Sequence, residues 1–400
     1  MIYRFAEFAL DVKPCNLRRN GVLHQIKRIC SAFVLSASII SSAAADDSGV
    51  CLNGNSPVDA AIAACSRLIA DKKIAHPRLA IFYNQRGVAW LRKQQFDQAL
   101  EDLDMSIKLD PTDAGPYANR GYAFDGKGDV DHAIAEFDQA IKLGASDANV
   151  FNQRGGLWFA KHDYNRAISD FDLAIRGNPN WADFYYHRAR AFQEKGDLDR
   201  AIADYNQAIR LDTKDASYYL RRGSAWSDKR DFGRSLSDLN QAIRLDPMLS
   251  DAFHLRGKLW ADKKDFDRAL ADYNEAIRID GNPLSFNNRG YVRYLKKDFD
   301  RALADYDEAL HRFPHNPAFL YNRSLAWRDK GELKKAIADL DEAAGIIPAG
   351  TDFLMTVLST RAFVQEISGD FVQARAGYKA VLGSDPKNQV AIEGLNRLGE

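Results

Sequence analysis

The chain has 400 residues and a mass of 44.9 kDa, with 28% charged and 46% hydrophobic residues. That composition is ordinary for a globular protein and excludes a disordered, collagen-like or wholly membrane-embedded chain. Basic and acidic residues number 55 each, which argues against a generally basic nucleic-acid-binding protein, and four cysteines are too few for a disulfide scaffold.

The first segment that reads clearly is 27–45. Lys27 and Arg28 precede a short apolar stretch from Ile29 to Ile40, and Ala43-Ala44-Ala45 supplies small residues before Asp46. This is the pattern of an export signal cleaved after Ala45. The stretch is about 12 residues, whereas a membrane span needs roughly 20, so no integral span is expected in the mature chain. Residues 1–26 are an overhang. Tyr3-Arg4-Phe5, Phe8-Ala9-Leu10-Asp11 and Leu17-Arg18-Arg19-Asn20-Gly21 resemble the opening strands of bacterial winged-helix regulators. The recognition helix that such a domain needs does not follow. A translation start near Val22 or Leu23 accounts for the overhang, and a fusion remnant is the other account.

Cleavage leaves 49 basic against 53 acidic residues and only two cysteines, Cys51 and Cys65. In an exported chain this spacing predicts a disulfide, worth about 3 kcal/mol for a loop of about 15 residues. No Cys-x-x-Cys spacing points to thiol exchange. Pro57 to Ala70 reads as a helix, so residues 46–79 form an N-terminal half repeat.

From residue 80 the chain repeats. Gly87, Gly121, Gly155, Gly223 and Gly257 stand on a 34-residue grid with Ala189 on the missing node, followed by Gly290, Ser324 and Ala362. Twelve residues beyond each node stands Ala99, Ala133, Ala167, Ala201, Ser235, Ala269, Ala302, Ala336 or Ala374. Pro111, Pro179, Pro247, Pro314, Pro348 and Pro386 fall 24 residues beyond theirs. Nine units therefore begin at Ala80, Ala114, Ala148, Ala182, Ala216, Ser250, Pro283, Pro317 and Met355, and cover 80–388.

The period and its small residues resemble the tetratricopeptide repeat (TPR) family. The small residues fall at that family's positions 8, 20 and 27. Its position 11 aromatic is matched by Trp90, Phe124, Trp158, Phe192, Trp226, Trp260 and Trp327. The resemblance implies an all-α, right-handed helix-turn-helix solenoid of about nine repeats. Asn388 to Leu398 reads as its closing helix, within a cap at 389–400.

Position 16 of each unit is Asp129, Asp163, Asp197, Asp231, Asp265, Asp298 or Asp370, with Glu332 once, and suits an N-cap of the second helix. Position 7 is Arg in all nine units, from Arg86 to Arg361, and position 23 is acidic in eight. The matched signs read as ion pairs within a unit or with its neighbour, rather than as a ladder for a polyanion.

In the TPR family the concave groove is lined by positions 2, 5, 9, 12 and 13. Here these include Asn84, Arg92, Tyr122, Asn152, Tyr186, Arg190, Asn287, Tyr291, Tyr321 and Arg328. Asn and Tyr can hydrogen-bond an extended peptide, and Tyr adds apolar contact. The Lys and Asn set of chaperone-tail clamps is absent: position 5 of the first five units is Asn84, Ala118, Asn152, Tyr186 and Leu220.

No catalytic constellation, phosphate loop or dinucleotide motif stands out. His311 and His315 are four apart, but Pro314 interrupts the turn. We therefore expect neither catalysis, nor a cofactor, nor a metal. The expected function is a protein-binding scaffold that takes a peptide or partner helix in its groove, in the periplasm or outside the cell. The alternative is a cytoplasmic TPR adaptor or transcription-associated regulator. Partner identity and oligomeric state are not readable.

Overall fold

The computed structural model describes residues 42–399. The winged-helix-like start and most of the export segment therefore lie outside the described residues. Those described fold into 21 helices with no strand among them, divided between two compact units, with the division in the chain after Thr213.

The first unit holds α1 (Ser42–Leu52), α2 (Val58–Ala70), α3 (His76–Arg92), α4 (Phe96–Leu109), α5 (Ala114–Lys127), α6 (Val130–Lys142), α7 (Ala148–Ala160), α8 (Tyr164–Gly177), α9 (Ala182–Glu194) and α10 (Leu198–Leu211). The second holds α11 (Ala216–Asp228), α12 (Phe232–Leu245), α13 (Ser250–Asp262), α14 (Phe266–Asp280), α15 (Pro283–Leu295), α16 (Phe299–Arg312), α17 (Pro317–Asp329), α18 (Leu333–Ile346), α19 (Asp352–Ile367), α20 (Phe371–Ser384) and α21 (Gln389–Arg397). From α3 to α20 the odd-numbered helices are the first, or A, helices of the units, and the even-numbered ones are the B helices.

Small residues set how closely A and B pack. A Cβ on Gly121 would lie 2.8 Å from the Phe137 ring, and one on Gly155 would lie 2.8 Å from the Phe171 ring. The facing position 20 residues, from Ala99 to Ala374, are wholly buried. Ser235, the one non-alanine among them, donates its hydroxyl to the Gly223 carbonyl at 2.7 Å. The aromatics at position 24, including Phe171, Tyr205, Tyr273 and Tyr306, fill the space left and are buried almost completely.

The caps follow chemistry. All seven Asp residues at position 16 accept a hydrogen bond from a backbone N–H in the first turn of the B helix that follows. Glu332 makes no such bond, and it pairs with Lys335 instead. The residue just before each position 16 turns through left-handed backbone in all nine units: Gln94, Gly128, His162, Gly196, Arg230, Lys264, Lys297, Gly331 and Gly369. Five of these are not glycine, and each carries a conformational cost.

Arg at position 7 is a clamp. Arg154 grips Asp170 of its own repeat with Nε and Nη2, at 2.8 and 2.6 Å, and Asp138 of the preceding repeat with Nη1 at 2.6 Å. Arg188 does the same with Asp204 and Asp172 in the first unit. In the second unit Arg256 holds Asp272 and Asn240, and Arg323 holds Asp339 and Asp307. One guanidinium thus fixes both the A–B pair and the stacking on the unit before it. Arg361, whose own unit has Gly377 at the acidic position, keeps an ion pair with Asp341 of the unit before.

The N-terminal edge is more complete than a half repeat. Here α1 and α2 form a helical hairpin, and α1 runs through the Ala45–Asp46 junction. Cys51 of α1 and Cys65 of α2 are joined as a disulfide, Cα atoms 5.0 Å apart, in a small core with Leu68 and Phe82. Arg67 pairs with Asp47 across the same two helices. At the other end Asn388 caps α21, whose Arg397 makes two bonds to Glu366.

Both irregularities in the period have a local cause. Gly281 is left-handed, so α14 ends directly into the Asn282 cap of α15 with one residue saved. The four extra residues before Met355 are partly absorbed by α19, a 16-residue helix that starts at Asp352 behind a Thr351 cap.

Candidate functional site

The A helices place positions 5, 9, 12 and 13 on one face. In the first unit much of that face is spent on the neighbouring repeat. Asn84 accepts from Asn119 Nδ2 at 2.8 Å. Asn152 is 3% exposed, and its Oδ1 lies 2.9 Å from His187 Nδ1. Arg92 donates to the Ser56 carbonyl at 3.2 Å and holds the turn before α2. Tyr122 is buried edge-on against Phe137. Burial and the Arg190 charge push the His187 imidazole down to about 3, so it is neutral where it bridges α7 and α9.

Tyr186 and Arg190 of α9 stay half-buried and accessible. The Arg190 guanidinium stacks 4.7 Å from the Phe159 ring of α7 and 5.8 Å from Tyr186. Gly156, one turn before Phe159, has open space where a side chain would be. Together these four make a shallow aromatic and cationic patch.

The second unit presents a denser cluster on α15 and α17. Asn287 is again committed between helices: it is 1% exposed and accepts from Asn322 at 3.0 Å. Tyr321 is buried edge-on against Phe353. Tyr291 is half-buried, its ring 6.0 Å from Tyr294. The Tyr294 hydroxyl donates to Asp329 at 2.7 Å, and Arg328 donates to the same carboxylate at 2.6 Å. Burial, and then this carboxylate, push the Tyr294 phenol up to about 12, so it remains a donor. One repeat earlier in the array, burial holds the Lys258 ammonium below its usual range and raises Asp262.

Of the ten sequence-predicted groove residues, the structure therefore brings two groups together: Tyr186 with Arg190, and Tyr291 with Tyr321 and Arg328. It places Asn84, Asn152 and Asn287 between helices rather than on an open face. Phe159, Tyr294 and Asp329 join the two groups and were not singled out. Phe159 and Tyr294 stand at position 12 of their units, which was the available signal.

Among the described residues no group of three or more His, Cys, Asp or Glu could hold a metal ion, and no helix is long and apolar enough to cross a membrane. His315 is bonded to Glu342 at 2.7 Å.

Two family profiles match the chain. The one described as tetratricopeptide repeat matches residues 118–180, 220–282 and 289–351, and the one described as TPR repeat matches 189–227. No curated protein matches. Solved structures share the fold. A tetratricopeptide repeat protein from Parabacteroides merdae is 16% identical with a TM-score of 0.51, over 62% of this chain and 98% of that one. The C-terminal part of a TPR repeat-containing protein from Cytophaga hutchinsonii is 21% identical with a TM-score of 0.47, over 61% and 98%. YrrB, described as a TPR protein with an unusual peptide-binding site, is 20% identical with a TM-score of 0.44, over 48% and 97%. The repeats, their clamps and the two profile matches make the chain a member of the tetratricopeptide repeat family, an all-α solenoid whose fold serves protein–protein interaction.

Proposed function

We propose that this protein is a non-catalytic scaffold that holds an extended peptide or a partner helix on its A-helix faces, in the periplasm or outside the cell. The observation that carries the reading is the cluster of Tyr291, Tyr294, Tyr321 and Arg328 on α15 and α17. Tyr and Arg are the residues in which interface energy concentrates, because each combines a large rigid contact area with directed donors. The cluster is held in place before any partner arrives, by Asp329 and by ring contacts with Phe353, which limits the ordering cost of binding. The Tyr186, Arg190 and Phe159 patch is a second, smaller anchor.

Location in the cell envelope rests on the signal pattern before Asp46. A mature chain beginning there keeps Asp47 and Cys51, so the ion pair to Arg67 and the disulfide to Cys65 both survive processing.

The test is binding of a captured partner by the wild type and by Tyr291→Ala/Arg328→Ala. The reading expects affinity to fall at least about tenfold while the melting temperature stays within a few degrees. Unchanged affinity would remove the A face of the second unit from the account.

A further inference from the structure

The inter-helix turns of the two units occupy the same positions of the repeat but carry different charge. Positions 14, 15, 16, 18 and 19 are the tip of each A–B turn. Across the four repeats of the first unit they hold six basic and six acidic residues. Across the first four repeats of the second unit they hold twelve basic and six acidic. The surplus is local, because residues 214–400 as a whole contain 29 basic and 28 acidic residues.

In the first unit three of the four lysines at position 14 are neutralised by the repeat before: Lys93 bonds Asp59, Lys127 bonds Asp97 and Lys161 bonds Asp131, while Lys195 bonds the neutral Asn165. In the second unit Lys296 and Lys330 keep this pairing, with Asp267 and Asp300, but the ladder is interrupted elsewhere. Gly233 stands where Lys263 would find its acid, and Lys334 replaces an acid at position 18 of the next-to-last repeat. Lys264 and Lys297 add two exposed cations at the left-handed turn residue itself. The nearby acids Asp262 and Asp329 face the A side, against Lys258 and Arg328.

The same edge ends in apolar side chains. In the last repeat, positions 13, 17 and 18 are Ile367, Phe371 and Val372, which are 46%, 52% and 76% exposed. Elsewhere the position 17 ring lies under the A helix that follows, as Phe96 lies under Gly126. The closing helix α21 has nine residues and leaves Phe371 uncovered.

We propose that the turn edge of the second unit docks on an anionic lipid bilayer, with the lysine stripe against the headgroups and Phe371 and Val372 inserted among them. The two signals are complementary. A stripe of cations suits a diffuse anionic surface, and an apolar tip adds what charge alone does not supply. Each lysine near such a surface changes affinity about fivefold, and the effect is screened by salt.

The test is flotation of the full chain with vesicles of phosphatidylcholine alone or mixed 3:1 with phosphatidylglycerol. We expect binding to the anionic vesicles alone, weakening as salt rises. Lys264→Glu/Lys297→Glu/Lys334→Glu should cut it more than about a hundredfold. Phe371→Ser/Val372→Ser should cut it about tenfold and leave the salt dependence in place. Lys93→Glu/Lys127→Glu/Lys161→Glu in the first unit, and Tyr291→Ala on the A face, should leave it unchanged. Each variant is checked for an intact thermal transition. Equal binding to neutral vesicles would overturn the proposal, as would indifference to the second-unit charge reversal. Capture of soluble polyglutamate without vesicle binding would overturn it in favour of an acidic protein partner.

Discussion

The two units are built on one frame and differ in what they do with its surface. Arg154 in the first and Arg323 in the second make the same three bonds, to an acid in their own repeat and to one in the repeat before. Ala167 and Ala302 are equally buried, as are Phe171 and Tyr306. Yet position 9 is open at Gly156 and a tyrosine at Tyr291, and the turn tips balance in one unit and carry surplus lysine in the other. A solenoid needs each repeat only to fit its neighbours, so positions that touch no neighbour are free to specialise.

The first way to break the comparison is to strike the shared frame. Phe171→Ala and Tyr306→Ala should each cost about 3–5 kcal/mol, measured by chemical unfolding, because each empties a buried aromatic site. A much smaller loss in one unit would mean the frames are not equivalent. Asp305→Ala comes next. Asp305 has 3% side-chain exposure and is shared by Arg289 and Arg293, so removing it strands two partly buried cations and should cost about 3 kcal/mol. Asp267→Ala removes an exposed partner of Lys296 and should cost less than about 0.5 kcal/mol.

Breaking the N-terminal clip with Cys51→Ser/Cys65→Ser should lower stability by about 3 kcal/mol, and reduction of the wild type should match it. Acid strikes both units through a buried imidazole, His187 in the first and His254 in the second. His187 stays neutral down to about 3 when folded, whereas the unfolded chain takes up its proton near 6.5. The unfolded state therefore binds more protons between those values, and stability should fall as pH drops below about 6.5 and be flat above it. At pH 5 the His187 share of the loss should be about 1–2 kcal/mol, and His187→Gln should remove that share and leave the share of His254, whose imidazole burial also holds below its usual range. A small effect of opposite sign is expected at the turns. Lys264→Gly relieves left-handed strain and should stabilise by about 0.5 kcal/mol, while also weakening vesicle binding.

Much of the frame was legible because it repeats. The Gly121 and Ala133 grid, the Asp163-type caps and the Arg–acid pairing all recur at fixed spacing, and the structure realises each of them. The partner at position 25, such as Asp138 for Arg154, was not read, because the bond crosses from one repeat to the next and needs the stacking geometry. Asn152 and Asn287 misled for the same reason. A lone amide on an A helix reads as a polar lining residue until the His187 or Asn322 beside it is known. The left-handed turn had a signal in Gly128, Gly196, Gly331 and Gly369, obscured by His162, Arg230 and Lys264 at equivalent places. The N-terminal hairpin was hidden because Ser42 to Ala45 read as the end of an export segment.

The central claim is that partners are held on the A faces. It is tested most directly by a photo-reactive residue placed in turn at Tyr186, Tyr291 and Met105, the last on B helix α4, followed by cross-linking in the host cell. The account predicts adducts of the same partner at positions 186 and 291, stronger at 291, and none at 105. Adducts at 105 with neither A-face position labelled would contradict it.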